Sequence, residues 1–441
     1  MTATQLPVYA DQLSRMIQAE TVSATPQPDK SKFYRFHDLL RELFPHLFAV
    51  VESEDFDGSL LLRWRGTEEK EPIMLMNHHD TVDAKGAWTH DPFAGDCADG
   101  KLWGRGALDT KGGLFCMLRA ADELAESGFV PTRDIYFVST CNEECSGEGA
   151  DHISLALAER GIRFYFVLDE GGMLLQEPID GAKGTYAMVG VGEKGCADLK
   201  FVARSSGGHA STPGKNTPLV RLGKFMAEAE KGRIFTVKLS PTLCAMFRSV
   251  SDSMSGAMKL ILGHPRLFSP ILTKVLPRVS TTAAAMLRTT VAFTMAQGSE
   301  GANVLPQEAW VIGNMRYSHH QGKKASIEAI TRLAKKYDIE TVVLDGGEES
   351  ALSDHTSPAF ALIERAVREN FPNVKTSPYV MTGASDCRYM NRVCENCLRL
   401  TPFLISQEQM ESIHAIDENV DLSTLLPAVS FYKYLLTEAQ A

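Results

Sequence analysis

The stretch PIMLMNHHDTV, residues 72–82, opens with a short apolar run, Pro72 to Asn77, and passes directly into His78, His79 and Asp80. Such a run suits a strand buried on both faces. The pattern recurs twice. DIYFVST, residues 134–140, is followed by Asn142, Glu143 and Glu144, and FYFVL, residues 164–168, by Asp169 and Glu170. Between them, Leu114, Met117, Leu118, Ala121 and Leu124 fall at helical spacing within Thr110 to Gly128, and Ser154 to Arg160 also reads as helical. This β-α-β-α-β rhythm predicts an α/β domain, with an open, mainly parallel sheet covered by helices on both faces.

In such a sheet the carboxyl ends of neighbouring strands line one crevice, where ligands bind. His78 and Asp80, Glu143 and Glu144, and Asp169 and Glu170 each follow a strand. Asp109 lies in a Gly-rich segment, Gly104 to Gly113, just before a helix. Any one of these acids reads equally well as a helix cap or a solvated turn. Together at successive strand ends they would repel one another, and desolvation would add to the cost. Divalent cations relieve that repulsion. A mix of imidazole nitrogen and carboxylate oxygen suits zinc, with manganese or cobalt as alternatives.

A second pattern begins near Gly195. Strand-like Ala197 to Ala203, helical Pro218 to Glu230, strand-like Thr289 to Met295 and Ala309 to Tyr317, helical Ser326 to Lys336 and extended Thr341 to Leu344 give the order β-α-β-β-α-β. That is the order of a small ferredoxin-like α+β domain. The expected organisation is a catalytic domain in two pieces, residues 1–194 and 349–441. Residues 195–348 form a lid between them, with an insertion at about 231–288. A helix at Ala359 to Asn370 and a closing helix near Leu422 to Leu436 return the chain to the first sheet.

The chain has 441 residues and a formal net charge of -10. A nucleic-acid partner is not expected, because binding to phosphate needs a basic face. The first residues, MTATQLPVYADQLSRM, carry no signal-like pattern of basic residues followed by an apolar run. The region from Leu260 to Leu287 is apolar, but Pro265, Pro270, Pro277 and several Lys and Arg interrupt it, so it reads as packing surface and no membrane partner is expected. Nine cysteines, an odd number, fit reduced thiols in a cytoplasm. Cys394 and Cys397 form a lone CxxC without a second ligand pair nearby, so a metal role is not expected for them.

The chain resembles the aminoacylase and carboxypeptidase family of two-zinc metallopeptidases, nearest to its carboxypeptidase S-like branch. The stretches that carry the resemblance are Asn77 to Val82, Gly104 to Gly113, Asn142 to Glu144, Leu168 to Gly172, Gly207 to Ser211, Asn303 to Pro306 and Ser412 to His414. It implies a dizinc exopeptidase-like fold and cleavage of an amide bond beside a free carboxylate, in small peptides or N-acyl amino acids. It further implies that Asp109 bridges two zinc ions, that His78 and Glu170 complete one site, and that Glu144 and His414 complete the other. Relatives differ in whether the residue equivalent to Asp169 or to Glu170 binds, and Glu170 is the preferred ligand here. Glu143 would be the general base and acid, and Asp80 the carboxylate that orients His78. From the lid, His209 would donate to the oxyanion, with Asn303 and Arg316 contacting the substrate. A homodimer through the lid is implied as well. His79, His90, His319 and His320 read as structural or surface residues. A deacylase of acetylated or succinylated amino acids would share the same catalytic residues, and a non-catalytic metal-binding protein is disfavoured because Glu143 is present.

Overall fold

The structure is a computed structural model and describes residues 5–440. The three runs that opened the sequence reading form strands Ile73–Met76, Ile135–Ser139 and Phe166–Asp169, every residue of them buried. Ile73–Met76 lies parallel between the other two, and Cys397–Arg399 adds a fourth parallel strand beside Phe166–Asp169. This parallel centre belongs to a ten-stranded sheet whose outer strands are partly antiparallel. One side of the sheet ends in the hairpin Val51–Phe56 and Ser59–Trp64, which the sequence reading did not anticipate.

Helix Lys111–Glu126 is buried from Lys111 through Asp122, because the closing helix Leu425–Glu438 and the N-terminal helices cover it. Its start sits very close to the loops that carry the acids. A Cβ on Gly112 would lie 2.2 Å from the carbonyl oxygen of Ala107, and one on Gly113 2.4 Å from Asn77 Oδ1. Only glycine permits that approach, which sets Asp109 beside the end of strand Ile73–Met76.

The lid is an antiparallel sheet in the order Thr290–Gln297, Glu308–Tyr317, Gly195–Arg204, Glu340–Gly346. Helices Pro218–Glu230 and Gly322–Lys335 share its core with Leu199, Phe201, Met315 and Tyr317. Alternate residues of Glu308–Tyr317 are buried, as expected for a sheet with one covered face. The β-α-β-β-α-β order is the one the sequence implied.

The insertion lies within the lid's sequence, but its core is shared with the large sheet. Four helices, Pro241–Ser251, Gly256–Gly263, Ser269–Val279 and Thr281–Leu287, place Phe247, Leu262, Leu272 and Leu287 in one core with Tyr186 and Met188. Ser249 and Ser377 are joined by a hydrogen bond of 2.6 Å. At the passage from catalytic sheet to lid, Lys194 donates to the carbonyls of Ala285 and Arg288, so the insertion also ties down the hinge. Beside it, the buried Glu193 accepts from Arg399 and from the backbone and hydroxyl of Ser385. All nine cysteines are free, and the Cys394 and Cys397 thiols donate to backbone carbonyls.

Candidate active site and metal centre

Asp109 lies at the middle of the charged cluster. Its Oδ1 is 3.0 Å from His78 Nε2 and its Oδ2 3.1 Å from His414 Nε2, so each oxygen meets a different imidazole. His414 also lies 3.1 Å from Glu144. His78 Nε2 and carboxylate oxygens of Asp109 and Glu144 can all lie within 4.8 Å of one another. Glu143, Glu144, Glu170, Asp109 and His414 line one cavity of about 400 Å³. Its walls include Met173, Met381, Met410 and Ile413, and Arg316 and Arg388 reach it as well.

The electrostatics are those of a site short of positive charge. Burial pushes Glu143 and Glu170 well above the usual carboxylate range, and the neighbouring acids add to the rise. Burial would lower His78, yet Asp109 and Asp80 raise it well above its ordinary value. His414 is raised to about 10, mainly by hydrogen bonds to Asp109 and Glu144. Asp109 is lowered despite burial, because both imidazoles donate to it. The donors fit divalent cations: two imidazoles and three carboxylates, with no Lys or Arg in an ion pair with Asp109, Glu144 or Glu170 among the described residues. Asp109, which meets a different imidazole through each oxygen, would be central to holding a divalent cation.

The supporting contacts separate the roles of neighbouring acids. Asp80 lies 3.5 Å from His78 Nδ1 and accepts from the backbone N–H groups of Glu143 and Glu144 and from the Ser23 hydroxyl. The nearer partner of His78 Nδ1 is the Asp80 backbone carbonyl at 3.0 Å, so Asp80 orients the imidazole through its main chain and the turn bearing both glutamates through its carboxylate. Asp169 is occupied by the backbone N–H groups of Glu170 and Cys387, at 2.9 and 2.8 Å, which leaves Glu170 to face the cavity. His79 is fully buried, stacks on Phe36 and shares a hydrogen bond with Ser139, as a structural histidine would.

Two further acids outside the candidate ligands act on this site. Glu418 accepts from the backbone N–H groups of Gly106, Leu108 and Asp109 and from Arg105, which in turn donates to the carbonyl of Ala415. It therefore fixes the Asp109 loop to the segment that bears His414. Both members of the pair lie in or beside quoted motifs, but no spacing rule joins residues so far apart. Asp386 accepts from Thr140, has its other oxygen unpartnered, and is pushed up to about 7 by burial and by Asp169.

The lid contributes unequally. Arg316 enters the cavity, and its Nε donates to Asn314. His209 and Asn303 do not join the cluster within one chain. They lie exposed at the small ribbon formed by Gly208–His209 and Val304–Leu305, where the Ala210 N–H donates to the Asn303 carbonyl. The implied places of His209 and Asn303 beside the reacting group are thus not met inside a single chain, because the ribbon sits away from the cavity that holds Asp109 and Glu143.

The model of the peptidase family M20/M25/M40 matches residues 74–438. This chain belongs to that family. It is 30% identical over 93% of its length to a probable carboxypeptidase S-like protein of Dictyostelium discoideum, covering 80% of that protein. It is 28% identical to the human N-fatty-acyl-amino acid synthase/hydrolase, over 91% of this chain and 78% of the relative. Among solved structures it is similar to an M20 family metallo-carboxypeptidase from Sulfolobus solfataricus, with a TM-score of 0.72, 15% identity and 99% of each chain covered. It also shares its fold with a dinuclear metal-binding peptidase of Bacillus subtilis, at a TM-score of 0.59 and 13% identity, covering 98% of this chain and 99% of that one. The chain is a hydrolase of this metallopeptidase family, and its acidic cluster is the place for a divalent metal.

The Glu418 clamp gives a direct test of how the site is held. Glu418→Gln would turn an amide N–H toward donors and lose the charge facing Arg105. Metal affinity measured by calorimetric titration should fall about 10- to 100-fold while Asp109, His78 and Glu144 stay intact. Unchanged affinity would mean that the loop holds its shape without this carboxylate.

Proposed function

We propose that the chain hydrolyses the amide bond next to a free carboxylate in small peptides or N-acyl amino acids, with two zinc ions bound at Asp109. The observation that carries this reading is a single cavity lined by Asp109, Glu144, Glu170 and His414 together with Glu143 and Arg316. The names of the relatives support both substrate classes, one a carboxypeptidase and one acting on N-fatty-acyl amino acids. Mixed imidazole and carboxylate donors support zinc, with manganese or cobalt as substitutes. Nine free cysteines support residence in a reducing cytoplasm.

When bound, the divalent ions supply Lewis acidity that polarises the amide carbonyl and a water molecule. The chain's own residues do the rest. Asp109, His78, Glu170, Glu144 and His414 hold the ions. Glu143 takes the proton from water and returns it to the leaving nitrogen as the carbon–nitrogen bond breaks. Arg316 presents a planar fork to the substrate carboxylate and so places the neighbouring amide over the metals. The methionine wall accepts an apolar side chain or acyl group.

Glu143→Gln is nearly isosteric but cannot take a proton, so kcat should fall about 100- to 10,000-fold with metal content unchanged. A variant that regains activity on added zinc would place Glu143 among the ligands instead. For Arg316, amidating the substrate carboxylate and Arg316→Ala should each cost a similar factor in kcat/KM, and together little more than one alone. Additive losses would separate Arg316 from the carboxylate.

We further propose that His209 completes the site of a second copy. Its exposed ribbon, outside its own cavity, supports this reading. Mixed dimers of His209→Ala and Glu143→Gln chains should recover up to about half of wild-type activity, since one site of each dimer regains both residues. Inactive mixed dimers, or an active monomer, would exclude it.

A further inference from the structure

The apolar region that the sequence reading assigned to packing is only partly packed. Helices Gly256–Gly263 and Ser269–Val279, with the turn between them, leave Met258, Leu260, Leu267, Ile271, Val275 and Val279 exposed, Leu267 by 74% and Val279 by 70%. On Ser269–Val279 the exposed apolar residues Ile271, Val275 and Val279 recur every four positions and form one stripe. Lys274 and Arg278 flank this stripe on one side, and on its other side Leu272 turns into the core shared with the large sheet.

The charge pattern is as unusual as the exposure. In a chain with 55 acidic residues among 441, no Asp or Glu occurs from Ser253 to Ser299, whereas Lys259, Arg266, Lys274, Arg278 and Arg288 all do. No ion pair joins Lys259, Lys274 or Arg278 to an acid among the described residues. An acid-free face of aliphatic side chains edged by unpaired cations, on a protein of net charge -10, complements an anionic lipid surface. It suits a second copy of itself poorly, because isologous contact would bring its cations together. No described helix is long and apolar enough to cross a membrane, so the contact is with the surface alone.

We propose that this face of the insertion docks the protein on membranes rich in anionic phospholipid, with Leu267, Ile271, Val275 and Val279 entering the acyl boundary and Lys274 and Arg278 meeting the headgroups. The buried side of these helices shares a core with helix Pro241–Ser251, which packs on strand Val374–Met381, whose last residue lines the catalytic cavity.

The test is co-sedimentation of the full chain with vesicles of phosphatidylcholine alone or mixed with phosphatidylserine. The protein should pellet with the anionic vesicles, be released by high salt, and stay in solution with the neutral ones. Lys274→Glu with Arg278→Glu, and separately Ile271→Glu with Val275→Glu, should each lower vesicle partition about tenfold or more. All four positions are exposed or at the exposed face, and an unchanged thermal transition and metal content will show that the variants fold. Equal partition to both vesicle types, undiminished binding by the folded variants, or a change of oligomeric mass in the variants in place of a change in lipid binding would each overturn the proposal.

Discussion

Carboxylates from four separate loops meet at the carboxyl ends of parallel strands, and their mutual repulsion is the constraint around which the site is built. Asp109, Glu143, Glu144 and Glu170 share one cavity, and among the described residues His414 and His78 are the cationic partners in ion-pair contact with Asp109 and Glu144. Burial makes each charge costly, and proximity makes each neighbour costlier. Cations resolve both problems together. The same charge that allows the acids to sit side by side also activates the reaction they surround.

That arrangement holds only if the acids cannot move apart. Each is fixed by backbone or buried side-chain contacts. Glu418 gathers three backbone N–H groups of the Asp109 loop, and Asp80 gathers two from the turn of Glu143 and Glu144. Asp169 holds the backbone at Glu170 and at Cys387. Farther out, Glu193 binds Arg399 and Ser385 at the passage into the lid, where the loop of Ala384 reaches the cavity. In every case a buried carboxylate is satisfied by several donors, which makes its burial tolerable and its neighbour's position definite.

The lid and its insertion divide the remaining work. The ferredoxin-like sheet delivers Arg316 to the cavity of its own chain but leaves His209 and Asn303 on an exposed ribbon. The insertion ties the hinge through Lys194 and rests on the large sheet, so the lid is not joined to the catalytic sheet by a bare linker. The outer surface of its helices Gly256–Gly263 and Ser269–Val279 carries no acid and is open to a partner of opposite charge.

Much of this was legible in the chain itself. Three buried runs followed by acids determined a parallel sheet with an acidic crevice, because strand burial and strand-end chemistry are both local properties. The period-two and helical patterns of residues 195–346 determined the lid in the same way. Local pattern also named the cavity acids, since Glu143, Glu144 and Glu170 lie within a few residues of a strand end and Asp109 within two residues of a helix start. Only the tertiary structure decided the pairings between distant residues: Glu418 with Arg105, Glu193 with Arg399, and Asp169 with the backbone of Cys387. It likewise decided which side of the apolar insertion is buried and that His209 stays outside its own chain's cavity. Such facts depend on which surfaces the folded chain brings together, and no periodicity records a contact between residues hundreds of positions apart.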